Sequence, residues 1–137
     1  MKKIITLFLV AFLFINCSSN DNDDTVKNPV VGTWKLVKTE SLVFGGPNTV
    51  TDFSNQNIIY KFDNKSNLTI IKNGSNVSTQ KYEYKLDYIS ESNTPGESKV
   101  NMVVIDGSTK YIYHFINGQM KLEESYIDGE DLYFEKQ

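Results

Sequence analysis

Lys81-Tyr82-Glu83-Tyr84-Lys85-Leu86-Asp87-Tyr88 alternates charged and apolar side chains at every step. Successive side chains of an extended strand point to opposite faces, so a period of two sorts this stretch into a wet face and an apolar one. The expected buried face carries Tyr82, Tyr84, Leu86 and Tyr88. A helix would scatter the same residues around its circumference, and no other window of the chain offers a comparable helical repeat.

The same period recurs on both sides of this segment. Strands are expected at Gly32–Thr39, Ile58–Phe62, Leu68–Lys72, Gln80–Ile89, Val100–Ile105, Lys110–Ile116, Gln119–Ser125 and Leu132–Lys136. Between them stand Asn73-Gly74, Asp106-Gly107, Asn117-Gly118 and Asp128-Gly129, pairs in which both residues accept a positive φ and so favour tight hairpins. Asp63-Asn64-Lys65-Ser66-Asn67 is a fifth, looser turn. About eight short strands joined this way make an all-β, antiparallel up-and-down meander. Left open, such a sheet exposes two edges; closing it into a barrel removes them. The alternative is a β-sandwich, which needs long crossovers, and only Glu40–Asn57 and Ser90–Lys99 are long here.

In a barrel the alternation sends Trp34, Leu36, Ile58, Tyr60, Phe62, Leu68, Ile70, Tyr82, Tyr84, Leu86, Val104, Tyr111, Tyr113, Phe115, Met120, Leu122, Leu132 and Phe134 inward. Eight strands enclose room for their own side chains or for one small ligand. Two functions therefore stand open. In one, the barrel is a calyx for a small apolar or amphipathic molecule, lined by Tyr60, Phe62, Tyr82, Tyr84, Tyr111, Tyr113 and Phe115. Phe44, beside the flexible Gly45-Gly46 pair in the long first loop, then forms part of a lid. In the other, the interior is filled and the domain is a surface interaction or structural module.

Catalytic chemistry finds no foothold in the sequence. His114 is the only histidine, expected on the face opposite Tyr111 and Tyr113, and a lone His without a Cys partner makes no metal site. Glu123 and Glu124 are neighbours on a strand and point to opposite faces, so they cannot act as a facing carboxylate pair. No nucleophile elbow, phosphate loop or zinc signature occurs, and no cofactor is called for.

The first residues belong to a different regime. Lys2 and Lys3 precede an apolar run from Ile4 to Ile15, interrupted only by Thr6 and too short for the roughly 20 residues a membrane-spanning helix needs. The run ends at Leu13-Phe14-Ile15-Asn16-Cys17, and Cys17 is the only cysteine in the chain. From Ser18 to Pro29 almost nothing is apolar, so this stretch cannot bury enough surface to order itself and reads as a tether. Removing the first sixteen of 137 residues leaves 121, enough for one small core. It also removes two lysines, which takes the formal charge from −3 to −5. The chain has no arginine, and an acidic surface without arginine forks is unsuited to nucleic acid.

Two parts of the chain resemble known families. The segment closing at Cys17 resembles the lipobox of bacterial lipoproteins, which implies cleavage after Asn16 and a fatty acyl anchor, such as palmitate, on the Cys17 thiol. The division is then a signal at residues 1–16, a tether at 17–29 and a barrel domain at 30–137. Asp21, Asp23 and Asp24 are similar to the acidic export signal of some Gram-negative lipoproteins, which implies an outer-membrane protein displayed at the cell surface; the alternative is an ordinary solvated tether. Asp24-Thr25-Val26 loosely resembles a short bacterial O-glycosylation site. Further on, Gly32-Thr33-Trp34 at the first strand resembles the Gly-x-Trp opening of lipocalins, and the long first loop and aromatic final strand fit the same family. The resemblance covers about residues 30–137 and implies a Trp34 plug at the barrel base with Gly32 beside it. The family lays an arginine from its last strand across the ring; the nearest cation here is Lys136.

Overall fold

A computed structural model describes residues 28–89 and 96–137. The signal residues 1–16, Cys17, and the tether acids Asp21, Asp23 and Asp24 lie outside the described residues. The described chain forms β1 (Gly32–Ser41), β2 (Thr49–Asp52), β3 (Ile58–Phe62), β4 (Asn67–Lys72), β5 (Ser75–Tyr88), β6 (Val100–Ile105), β7 (Thr109–Ile116), β8 (Gln119–Glu123) and β9 (Glu130–Lys136). One 3₁₀ turn, Ser125–Ile127, separates β8 from β9.

All nine strands belong to one antiparallel sheet in the order β2-β1-β3-β4-β5-β6-β7-β8-β9, and β1 pairs again with β9. That second pairing closes eight strands into a barrel, with β2 hydrogen-bonded to β1 alone, in line with β3. The meander barrel expected from the sequence is therefore the fold, and the sandwich is not. The sequence reading missed β2. Thr49-Val50-Thr51-Asp52 is short, holds one strongly apolar residue and is exposed along its whole length, so it leaves no alternation to find. It lies against Lys38–Ser41 of β1, while β3 takes Gly32–Lys35 on the same side.

Three of the four Asn/Asp-Gly pairs are hairpin turns with both residues at positive φ: Asn73 and Gly74, Asp106 and Gly107, Asn117 and Gly118. That combination is the type I′ geometry whose twist matches its flanking strands. Asp128-Gly129 is a correction. Asp128 has φ 62° but caps the 3₁₀ turn, and Ser125 belongs to that turn, not to a strand. The cause is Asp131, whose carboxylate Oδ1 accepts the backbone N–H groups of Glu124 (3.1 Å) and Ser125 (2.9 Å) and so bends the chain off β8. Asp63 organises the looser turn: Oδ1 accepts from the N–H groups of Lys65 and Asn67 at 2.8 Å each. The Asn67 side-chain amide donates to Oδ2 at 2.8 Å, and this bond first, then the backbone ones, holds the carboxyl below the usual range.

Trp34, Phe62, Leu68, Met120, Leu122 and Phe134 are all but fully buried in the interior. Each such side chain contributes about 1.5–3 kcal/mol by leaving water. Three positions expected inward are not. Leu86 is exposed, because one extra residue enters β5 between Lys85 and Tyr88, with Asp87 at φ 50°. Such a bulge switches the faces of the residues beyond it. Tyr88 thus leaves the face of Tyr82 and Tyr84 and joins the outer wall beside Val100. Val104 pairs with Lys110 on the outer wall, while Val103 and Ile105 point inward with the core. The run Met102-Val103-Val104-Ile105 is buried throughout, so alternation had nothing polar to mark its two sides.

The base of the barrel is closed by the entering chain. The Trp34 indole N–H donates to the Val30 carbonyl at 2.7 Å. The Asn28 amide donates to the Tyr82 hydroxyl at 3.3 Å, and that hydroxyl donates to the Asp63 carbonyl at 2.7 Å. Gly32 has φ 149°, and a Cβ there would stand 3.4 Å from the indole nitrogen. Lys136 places its Nζ 5.7 Å from the centroid of the Trp34 ring.

Candidate functional site

The inward aromatics divide into three groups. Phe62 and Tyr82 meet edge-to-face at 5.0 Å and are core. Tyr84 and Tyr113 make a second such contact at 5.7 Å. Tyr113 and Phe115 line a cavity of about 280 Å³ at the base with Trp34, Lys136 and Pro29. Phe115 itself is 55% exposed and meets the Trp34 edge at 6.3 Å.

Of the lining candidates, Tyr60 and Tyr111 line a further pocket of the interior. It measures about 150 Å³ and is shared with Ile70, Gln80, Thr109 and Leu132. Burial first, then the charges of Glu124, Tyr60 and Glu130, push the Tyr111 hydroxyl up to about 12. Ligand sites usually occupy about 300–1,000 Å³, so this pocket is small for one. Phe44 stands fully exposed at the far end of β1 and lines neither cavity.

A larger recess, about 370 Å³, lies on the outer wall across β5, β6 and β7. Its floor is Val100, Met102 and Ile112; its sides are Tyr88, Lys110, Tyr126 and Ile127. Each wall has a local cause. The β5 bulge delivers Tyr88, and the register of β6 against β7 puts Met102 opposite Ile112 on the outer face. The 3₁₀ turn carries Tyr126 and Ile127, and the Tyr126 hydroxyl donates to the Lys110 carbonyl at 2.9 Å. Lys110 Nζ donates to the Tyr88 hydroxyl at 3.3 Å, so polar groups rim an apolar floor. Apolar lining with a few oriented polar groups is the general composition of ligand sites. One trace of this site was present in the sequence, the apolar run Met102–Ile105 of β6; Tyr88 was hidden by the bulge, and Tyr126 and Ile127 by the misread turn.

Beside the recess, β7, β8 and β9 carry a charged network. Lys121 Nζ lies 2.9 Å from Asp131 and 3.4 Å from Glu123, and His114 Nε2 lies 2.7 Å from the same Glu123 oxygen. Burial raises the Asp131 carboxyl, but the Lys121 ammonium and the Ser125 N–H outweigh it, and the net shift is down. Glu123 thus lies between the Lys121 ammonium and the His114 ring on the outer wall, and Asp131 ties the network to the 3₁₀ turn. Among the described residues no group of three or more His, Cys, Asp or Glu is placed to hold a metal ion.

The fold defines an all-β protein of the closed meander type, similar to lipocalins in architecture. Comparison with family models, with characterised proteins and with solved structures finds no match to this chain.

Proposed function

We propose that this chain is a lipid-anchored protein of the bacterial envelope, held in the outer membrane through Cys17, whose non-enzymatic barrel binds a small apolar or amphipathic ligand on its outer wall. The observation that carries the reading is the contrast between the two spaces. The pocket beside Tyr60 and Tyr111 measures about 150 Å³, whereas the recess over Met102 and Ile112 offers about 370 Å³. A ligand with a flat or branched apolar body would cover the floor, with polar atoms directed to the Tyr88 and Tyr126 hydroxyls.

The test uses 1-anilinonaphthalene-8-sulfonate as the apolar probe. Saturable fluorescence enhancement is expected, and Ile127→Asp, at an exposed position on the recess wall, should remove it with the unfolding midpoint unchanged. Tyr111→Phe, at the interior pocket, should leave it intact. Enhancement lost in Tyr111→Phe and kept in Ile127→Asp would return the site to the interior. The anchor has its own test. Cys17→Ala should give a precursor that takes up no fatty-acid label, while the parent chain is labelled and partitions into detergent; an unlabelled parent overturns the lipoprotein reading.

One observation favours the second reading, an interaction module. Leu42, Val43 and Phe44 form an exposed apolar tip at the far end of β1, and a monomeric surface seldom gathers such residues without use.

A further inference from the structure

At one end of the barrel β7 and β8 run on as a pair. β6 stays beside β7 only to Ile112, whereas β8 pairs with it as far as Ile116. Phe115 and Ile116 therefore lie on a hairpin of two strands, turned by Asn117-Gly118. Successive strand residues face opposite sides, so a strand with one wet face would carry an apolar residue at only one of these two positions. Here both are apolar, and both are exposed, at 55% and 56%. β5 runs in the same direction as β7, each antiparallel to β6, and its end brings the exposed Leu86 and Ile89 to the same end of the barrel. That end is the base: Phe115 lines the base cavity with Pro29, Trp34 and Lys136.

We propose that the base is a membrane-docking face, with Phe115 and Ile116 seated among the lipids of the bilayer that holds the anchor. Exposed apolar groups gathered in one place mark contact with a membrane or a protein, and the point where the chain enters the barrel selects the membrane. Asn28 follows Cys17 by 11 residues, and a chain of that length reaches at most roughly 40 Å when fully extended. The ten-residue β1 that leads from the base to the opposite tip itself spans roughly 33 Å. An acylated Cys17 thus holds the base against the bilayer, whereas the tip at Leu42, Val43 and Phe44 would touch it only with the preceding chain drawn out along the whole barrel. The docking rests on the anchor reading at Cys17.

The rim of the base has the composition that a lipid surface selects. Lys136 is exposed beside the Trp34 ring, and Lys65 is exposed in the turn that the Tyr82 hydroxyl ties to Asn28 of the entering chain. Aromatic rings settle at the level of the lipid headgroups, and ammonium groups near the surface are drawn to anionic lipids. The two exposed apolar side chains of the hairpin are placed to pass that level, since no third strand of the described sheet covers them.

The test uses the lipidated chain in phosphatidylethanolamine–phosphatidylglycerol vesicles, with the fluorophore nitrobenzoxadiazole attached at Ile116→Cys or, at the opposite tip, at Phe44→Cys. Cys17 is the only native cysteine, so its acylation leaves the introduced thiol as the one that reacts. Emission from the label at Ile116→Cys should shift to the blue and be quenched by lipids that carry a nitroxide on the acyl chain. Emission from the label at Phe44→Cys should remain that of a label in water. Phe115→Asp should return the base label to water while the chain still floats with the vesicles through its anchor. A base label that stays in water, equal quenching at the two ends, or quenching undiminished by Phe115→Asp overturns the docking and leaves the anchor standing. A chain that does not float with the vesicles overturns the anchor reading and the docking with it. Ile127→Asp, at the outer recess, should leave the base label quenched, which keeps this outcome separate from that of the ligand reading.

Discussion

Trp34→Ala is expected to lower folding stability by about 3–5 kcal/mol, the range for deleting a large buried aromatic. The indole is 1% exposed, its N–H donates to Val30 at 2.7 Å, and its edge meets Phe115. Alanine leaves a cavity at the base and frees the Val30 carbonyl, so the strap formed by Asn28 to Val30 loses the bond that ties it down. A domain of this size has about 5–15 kcal/mol in total, so the loss is a large share of it. Urea titration should show a clearly lower midpoint with an unchanged slope. Lys136→Ala removes only an exposed cation at 5.7 Å from the ring and should cost about 1 kcal/mol or less. Equal effects of the two substitutions would mean that the base is not organised around the indole.

Asp131→Ala should have the next largest effect, about 2–4 kcal/mol, because one buried carboxylate serves three donors. Its oxygens take the backbone N–H groups of Glu124 and Ser125 and the Lys121 ammonium. Without it the 3₁₀ turn loses its attachment to β9, so binding of the apolar probe should weaken as well. The same residue gives a pH dependence with a definite sign. Its folded value is depressed, so the contribution is complete above the unfolded carboxylate value near 4 and is lost as pH falls through the lower folded value. Unfolding midpoints measured from about pH 5 to about pH 2 should fall in the parent chain more steeply than in Asp131→Ala. Parallel curves would show that other carboxylates dominate the acid response.

The parts of the fold that were legible in the sequence are those where one face is wet and the other dry. β3 and β6 occur at their expected bounds, and three Asn/Asp-Gly pairs make the expected turns. The reading failed where a single extra residue or a long-range carboxylate decides. No local pattern announces that Asp87 will take a positive φ and turn Tyr88 outward. Nor does Glu123-Glu124-Ser125 reveal that Asp131, later in the chain, will hold its backbone. The outer recess depends on both events, so it could be found only from the folded chain. Trp34 is legible because its role rests on size, whereas Gly32 is required by its φ of 149°, since a Cβ there would meet the indole only at ordinary contact distance.

The seam between β1 and β9 also sets when the molecule can form. Ser41 Oγ donates to Glu130 at 2.8 Å and the Tyr133 hydroxyl to Glu40 at 3.0 Å, bridging 89 and 93 positions of sequence. Contacts so distant along the chain make folding slow, on the order of milliseconds to seconds, since a long loop must close before they form. Until Leu132 and Phe134 arrive, β1 and β8 each lack a neighbour and the ring stays open. A chain threaded N-terminus first through a narrow channel would therefore keep its ring open until its last strand emerged. Late closure keeps such a polypeptide passable for the whole of its transit.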